Sequence, residues 1–502
     1  MSILTPTSGF ILLGLFGIAA VVMALSLTRN TDGNVEDLLV ARGSSPVPII
    51  VVSLIATWLW STTLMGAAEG GVGFGVSAAW VYPFTVPFSV VILGPVLSKI
   101  RRNFPEVSSF PEYIRYRFSS YGDSVHKLFT GIGIVQSFFW AVIQIIGAGF
   151  VLNVIFGIPN WQGSILTGLI ITSYITLGGL RASIFTDFIQ MLAIGVILAV
   201  IVPWTVIAAG GPATVYEGLA AADLPSAHHL VTDTAIFGFL LVSFPGVISY
   251  ALINQNVWQR VIASEEVGSE RYVLGMSGLL WVAIPAAASL VGLVGLSIGY
   301  TGNPATVMPG VIEAILPAWG AVLFGIVVLG AIFSTADSCL NSLSTILISD
   351  VYKPYFGSEE EIRTDSSLVF KTKIVMAIIG VIMSLMGTMQ VSLLFFSLAV
   401  TALIMPVTWP MAMSALHPNF NLKWGAYAVF IGVPASFVFA FLPVAGIWNA
   451  PFDPWMGYLI PNAITIGLPI IGTMLYPDTE FNFGQMESMI NAETAQYAGG
   501  DD

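Results

Sequence analysis

The chain has 502 residues, of which 56% are hydrophobic and only 9% charged, whereas a soluble domain carries about a quarter charged residues. One cysteine excludes a disulfide framework and a cysteine-based metal site. None of the four histidines lies mid-span, which argues against a haem- or zinc-dependent membrane enzyme. The net charge of −12 comes mostly from loops and the acidic C-terminal stretch and does not suggest nucleic acid.

Apolar runs of membrane-spanning length recur from end to end and predict an all-α polytopic membrane protein. About 13 transmembrane helices are expected, with approximate limits 9–28, 46–67, 78–98, 125–156, 162–178, 184–209, 235–253, 272–299, 317–347, 370–388, 391–415, 425–443 and 455–476. The first run has no small-residue cleavage site behind it and reads as a retained helix. With this count, all 16 Lys and Arg fall on one side, while the other carries Glu69, Glu217, Asp223, Asp233, Glu313 and Asp453 and no basic residue. The positive-inside rule then puts the N-terminus outside and the C-terminus in the cytoplasm of a plasma-membrane protein.

Setting aside the first span and the last two leaves ten, which divide into two fives of opposite orientation, the inverted-repeat plan of many secondary transporters. The expected layout is one transmembrane domain over 1–480, with core repeats at about 46–209 and 235–415. Helices 9–28, 425–443 and 455–476 flank the repeats, and a disordered acidic tail follows at 481–502. The opening span of each repeat should be discontinuous. Gly66, Gly70, Gly71, Gly73 and Gly75 follow the first, and Phe244-Pro245-Gly246 interrupts the second.

Within the first of these spans, Thr57, Trp58, Trp60, Ser61, Thr62 and Thr63 cluster near the centre. Aromatics normally sit at the interface, so two deep tryptophans suggest a cavity wall, and an unwound helix here would free carbonyls for a cation. Small hydroxyl residues also let helices pack closely, which is the competing reading of Ser61, Thr62 and Thr63. The segment around Phe104–Phe118 reads as a cytoplasmic amphipathic element. Gly178–Ala182 is a turn into a helix that carries Asp187 and Gln190 on one face, where Asp187 is solvated, paired with Arg181 or part of an ion path. Asn254–Arg260 closes the seventh span on the cytoplasmic side, and Arg260 reads as a positive-inside arginine.

The most informative stretch is Gly325–Asp350. Ser334, Thr335, Ser338, Asn341, Ser342 and Thr345 recur at offsets of 0, 1, 4, 7, 8 and 11, so they share one helix face with Ala331, and Asp337 sits at its edge. Polar groups are costly in a bilayer, so the stripe must face protein, water or an ion, and a row of hydroxyls suits a hard monovalent cation. For Asp337 a structural hydrogen bond is favoured over ion contact.

Together these blocks resemble the sodium:solute symporter family. The carriers are GGLRA…TDFIQ (Gly178–Gln190), NQNVWQR (Asn254–Arg260), SSFPEYIRYRF (Ser108–Phe118) and FSTADSCLNSLSTILISDVY (Phe333–Tyr352), in that order over nearly the whole chain. The resemblance implies a leucine-transporter-like fold with a five-plus-five core and uptake driven by Na+ as coupling ion. It also implies a sodium site of the carbonyls of Ala56, Leu59 and Ala331 with the hydroxyls of Ser334 and Thr335. The family's second sodium position, where present, looks like Asp187 with Ser338. Tyr250 falls where sugar-transporting members have an aromatic inner gate and Thr63 where they have a polar substrate contact, so these two join Trp58 and Trp60 as substrate-site candidates. Thr57–Trp60, Phe74–Ser77 and Trp80–Tyr82 look like the urea-transporting branch. The proline-transporting branch usually has an acidic residue where Trp58 stands.

The expected protein is therefore a symporter rather than an enzyme. Its partners are a small polar solute, urea or a similar neutral molecule first, and the lipid bilayer, with no protein partner predicted. A proline-like amino acid or an organic acid, coupling to protons through Asp187 or Asp337, and a sensor without coupled transport remain the alternatives.

Overall fold

The computed structural model describes residues 4–28, 35–121, 123–222, 224, 227–356, 366–391 and 393–481; the acidic tail expected to be disordered lies almost wholly outside them. Within these residues the chain is built from helices, with one isolated bridge between Ser45 and Ser264. The principal helices are α1 (Pro6–Thr28), α2 (Val47–Thr57), α3 (Thr85–Asn103), α4 (Asp123–Phe156), α5 (Asn160–Ala208), α6 (Leu241–Leu252) and α7 (Gln255–Ala263). They continue with α8 (Glu270–Ser297), α9 (Ala318–Ile346), α10 (Ser366–Met386), α11 (Leu393–Ile404), α12 (Thr408–Leu416), α13 (Leu422–Ser436) and α14 (Pro454–Leu475). Among the described residues nine helices are long and apolar enough to cross a membrane, and one further pair does so with a 63° bend.

The hydroxyl-bearing helix α9 is the axis of the bundle. Every residue from Val327 to Ile346 is buried, and α9 packs most extensively against α4 and α5. By contrast α1, packed on α5, turns Ile11, Leu15, Ile18 and Val22 outward at helical spacing, as a face in contact with lipid requires.

Helix α5 runs 49 residues, about 74 Å at 1.5 Å per residue and more than twice the hydrocarbon thickness. It is two spans joined at Gly179, whose backbone (φ 57°, ψ −156°) leaves the helical region where the GGLRA turn was expected. A Cβ there would lie 2.1 Å from the Leu38 carbonyl oxygen, so both conformation and space demand glycine.

The two discontinuities differ from expectation in one respect. The first lies between Thr57 and Thr62, where α2 stops and a π turn (Thr62–Gly66) opens the segment Thr62–Val81 at 63° to it. The second is not at Pro245-Gly246, which lie inside α6 just after a π turn at Ile236–Leu240. Gly246 instead provides a close approach, because a Cβ there would come 2.3 Å from Thr401 Cγ2. The break occurs at Ile253–Asn254, and the Asn254 side chain caps the restarted helix α7 by accepting from the Asn256 backbone N–H at 2.8 Å.

The amphipathic element expected around Phe104–Phe118 forms a short helix, Phe110–Arg117. Ser109 caps it by accepting from Glu112 N–H at 3.0 Å, and the Glu112 carboxylate accepts from Ser108 N–H at 2.8 Å. Burial pushes the Glu112 carboxyl up to about 7.

Gly179→Ala would force a side chain into a backbone region reserved for glycine, at a cost of roughly 1–3 kcal/mol before any clash. The expected outcome is a clear fall in melting temperature of the purified protein. An unchanged melting temperature would show that the α5 kink does not depend on this residue.

Candidate functional site

The break after α2 is a short run in which regular helical bonding gives way: Trp58 and Leu59 still donate to Leu54 O and Ala56 O, and the chain then turns away. Trp58 leaves the helix (φ −91°, ψ 2°), and the carbonyls of Ala56, Thr57, Trp58 and Leu59 are turned to partners elsewhere. Ser334 Oγ donates to Ala56 O at 2.8 Å and, at 3.4 Å, to Ala331 O in its own helix. Thr335 Oγ1 lies 3.2 Å from Thr57 O and 3.5 Å from Leu59 O. The five residues expected from sequence to form a cation site, Ala56, Leu59, Ala331, Ser334 and Thr335, thus meet at one point, and all are fully buried. Their oxygens are neutral and hard. Such a set suits a singly charged hard cation, since divalent sites in proteins recruit carboxylates. Among the described residues no cluster of three or more His, Cys, Asp or Glu offers a site for another metal.

The stripe continues beyond Ser338 as a latch between α7, α9 and the short helix Val35–Leu39. Gln259 Nε2 donates to Leu39 O at 2.8 Å and to Thr345 Oγ1 at 2.6 Å. Ser342 Oγ donates to Gln259 Oε1 at 2.7 Å, and Asn341 Nδ2 to Leu39 O at 2.9 Å. The NQNVWQR block therefore carries a buried network and is more than a helix end.

Arg260 departs furthest from its sequence reading. It is not a solvated positive-inside arginine but is completely buried. The guanidinium donates from Nε to Ser53 Oγ at 2.8 Å and from Nη2 to Ser183 Oγ at 3.1 Å, Asp187 Oδ2 at 2.7 Å and Ser338 Oγ at 2.6 Å. Asp187 and Ser338, which the family resemblance paired as a second sodium position, both accept from this guanidinium. Asp187 is neither solvated nor paired with Arg181, because the partner that reaches it comes from α7. Asp337 accepts from Tyr174 Oη at 2.6 Å and from Ser183 and Ser338 Oγ at 3.0 Å each, the structural hydrogen bonding expected of it.

Beside the break lies a small cavity of about 40 Å³, whose lining includes Trp60, Thr62, Tyr82, Trp140, Tyr250 and Thr401. The rings of Trp60, Trp140 and Tyr250 are mutually 4.7 Å apart and form one aromatic wall. Thr62 Oγ1, Trp60 Nε1 and Trp140 Nε1, all buried, make no hydrogen bond among the described residues. Of the four residues expected at a substrate site, Trp60 and Tyr250 line the cavity, while Trp58 and Thr63 lie outside the lining. The reason for Thr63 is local. Its hydroxyl accepts from Trp60 N–H at 3.1 Å and donates to Trp58 O at 3.0 Å, so it staples the broken backbone. Trp58 is buried, and its carbonyl also accepts from Trp281 Nε1 at 2.8 Å.

Sequence reasoning missed Trp140, Gln144 and Gln136. Gln144 Oε1 accepts from Ser61 N–H at 2.6 Å, and Gln136 Nε2 donates to Tyr250 O at 3.3 Å. Their signal was present, because 136, 140 and 144 follow one another every four residues and mark one face of α4.

Comparison with known proteins agrees with this architecture. The family model of the sodium:solute symporter family matches residues 40–432. A urea–proton symporter of Oryza sativa is 23% identical over 412 residues, covering 74% of this chain and 56% of that protein. A probable urea active transporter of Schizosaccharomyces pombe is 24% identical, covering 87% and 70%. The human sodium-coupled monocarboxylate transporter 1 is 26% identical, covering 80% and 66%. The chain thus spans little more than half of the rice relative's length. Among solved structures, a Na+-coupled sialic acid symporter in a substrate-bound outward-open state superposes with a TM-score of 0.76 at 19% identity, covering 94% of this chain and 99% of that one. At that identity the likeness shows the fold alone, and the fold is the all-α, leucine-transporter-like five-plus-five arrangement.

Thr63→Val would remove both hydrogen bonds of the staple at a buried break. Leaving buried polar groups unpaired costs about 1–3 kcal/mol, so thermal unfolding of the purified protein should shift down clearly. Thr62→Val, which breaks no such bond, should change it little. Equal effects of the two would refute the division of roles between them.

Proposed function

The chain belongs to the sodium:solute symporter family, and on that premise we propose that it is a sodium-coupled symporter importing a small polar organic solute by alternating access. The observation that carries this reading is the meeting of Ala56, Leu59, Ala331, Ser334 and Thr335 at the break after α2. Three carbonyls and two hydroxyls would hold sodium between two elements that move apart as the transporter turns inward. Binding there stabilises the arrangement in which α2 and α9 touch, and release is favoured once they separate. An ion can drive such a cycle only because its affinity differs between the states. The membrane potential adds about 2.3 kcal/mol per charge per 100 mV.

The break serves ion and solute together. Trp60 belongs to the same non-helical run as Leu59, so a cation that fixes the run also fixes one wall of the aromatic cavity. Inward release requires the latch of Gln259 with Leu39, Ser342 and Thr345 to open. The segregation of basic residues supports an outside N-terminus and a cytoplasmic C-terminus in the plasma membrane. We read residues 1–480 as one transporter domain, with the core repeats at about 46–209 and 235–415 and the remaining helices as scaffold.

For the solute, the cavity favours a small neutral molecule with urea or a related amide first. Its wall is aromatic, its unpartnered polar atoms include the indole N–H groups of Trp60 and Trp140 and the hydroxyl of Thr62, and its lining carries no charged side chain. The names of the rice and fission yeast relatives point the same way. A monocarboxylate is the second reading, supported by the human relative, with these donors serving a carboxylate.

Two measurements test this. Ser334→Ala with Thr335→Ala should raise the sodium concentration needed for uptake well over tenfold in a folded protein, whereas Trp60→Ala or Trp140→Ala should weaken solute affinity more than sodium affinity. Unchanged sodium dependence in the first variant would refute the cation site. Melting temperatures of the purified protein with urea, acetamide, proline, lactate, pantothenate and a hexose, each in sodium and in potassium, should rise for one solute class in sodium only. A rise irrespective of cation would refute sodium coupling.

A further inference from the structure

Beyond α14 the chain turns back, and residues 476–481 pair with the loop that joins α12 to α13. Asp478 N–H donates to Asn419 O at 3.2 Å and Phe481 N–H to Pro418 O at 3.0 Å, while Asn419 Nδ2 donates to Asp478 O at 3.0 Å. The Asp478 carboxylate accepts from Leu422 N–H at 2.9 Å, at the start of α13, where a negative charge complements the helix dipole. These residues lie beyond the stretch 40–432 that the family model matches.

The pairing brings one ring to a buried charge. Arg117, the last residue of the short helix Phe110–Arg117, is 2% exposed. Its Nε donates to Ser414 O at 3.2 Å, and its Nη2 makes no hydrogen bond among the described residues. The Phe481 ring lies 4.0 Å from the guanidinium carbon, and a desolvated guanidinium over an aromatic face is the stronger case of this attraction. The other end of the short helix is bonded to the latch helices. Gln255, in the first turn of α7, donates from Nε2 to Ser108 O at 2.7 Å and accepts at Oε1 from Phe110 N–H at 3.2 Å. Ser109 Oγ donates to Asp350 Oδ2 at 2.7 Å, in the turn that continues α9. Gln255 lies four residues before Gln259, the centre of the latch, one turn along the same helix. Separating α7 from α9 must therefore break these bonds or move the short helix, and moving that helix draws Arg117 away from Phe481.

We propose that residues 476–481 are a clasp that restrains opening of the latch, with Phe481 on Arg117 as its point of contact. Both are positioning residues, since neither lines the cavity and each acts through the short helix. The proposal rests on the reading of the Gln259 contacts as the inward latch, and not on which ion or solute is carried. The clasp stabilises the closed latch alone, so weakening it shifts the population towards the open one.

The chain carries its own reporter of this motion. Cys339, the one cysteine of the sequence, is buried on α9 and accepts from Asn256 Nδ2 of α7 at 3.3 Å, so parting of the two helices uncovers it. The experiment measures the rate at which N-ethylmaleimide alkylates Cys339 in the purified full chain in lipid nanodiscs. Phe481→Ala should speed labelling about threefold or more, and removal of residues 477–502 at least as much. Phe481→Tyr, which keeps the ring, and removal of residues 487–502, which spares the clasp, should label at the wild-type rate. Gln259→Ala checks the latch itself and should label faster than wild type. If Gln259→Ala is faster and Phe481→Ala is not, the clasp is refuted and the latch stands. If Gln259→Ala labels at the wild-type rate, the latch reading falls and the clasp with it. Faster labelling of Phe481→Tyr equal to that of Phe481→Ala would overturn the ring contact. So would a rise in Phe481→Ala that comes with loss of cooperative melting, because labelling would then report unfolding.

Discussion

The structure depends on one unfavourable feature: backbone carbonyls left without partners inside a bilayer. Where α2 stops at Thr57, the carbonyls of Thr57, Trp58 and Leu59 leave the helical pattern and that of Ala56 keeps only the turn to Leu59 N–H, and a bare carbonyl in hydrocarbon costs several kcal/mol. Everything around the break is arranged to satisfy them. Ser334 and Thr335 reach across from α9, Thr63 folds back from the restarted helix, and Trp281 comes in from α8. A break maintained in this way offers oxygens to a cation at small further cost, because the groups are already turned away from their own helix.

The same constraint explains why the centre of the protein is polar while its outside is not. The stripe on α9 is buried along its whole length, and each hydroxyl on it has a defined partner. Near Ser334 the partners are carbonyls, near Ser338 a guanidinium, and near Ser342 and Thr345 the amide of Gln259. One face of one helix is thus divided into a stretch that meets carbonyls, a stretch that meets a fixed charge and a latch. Each contacts the neighbouring elements α2, α5 and α7 through hydrogen bonds that can be exchanged as the elements shift.

The cavity beside the break follows a different rule. Trp60, Trp140 and Tyr250 pack into a wall that needs no polar partner on its inner side, and only a few polar atoms are left for a solute. Selectivity among small molecules then depends on fit against flat rings and on one or two hydrogen bonds. In such an arrangement small changes in lining distinguish a neutral amide from a small acid.

The amino-acid sequence by itself determined whatever depends on periodicity along one helix or on bulk transfer to lipid. The spanning runs, the segregation of basic residues, the turn at Gly178-Gly179 and the polar face of Ser334–Thr345 are of this kind, whereas Ala56 and Leu59 were singled out only through the family resemblance. Tertiary structure alone decided the rest. Arg260 looks like any cytoplasmic arginine at the end of a span, and only the convergence of Ser53, Ser183, Asp187 and Ser338 from three other helices gives it a buried role. Thr63 and Thr62 are indistinguishable as letters, yet one staples the backbone and the other faces the cavity, because the chain between them and Thr57 follows no repeating geometry from which direction could be read. Pro245-Gly246 signals a break that the fold uses as a close contact with Thr401, and the break moves to Asn254, where a side chain can cap the restart. A helix face repeats and can be counted, but the partner of a buried polar group is chosen by elements far away in the chain, so it exists only once they have packed.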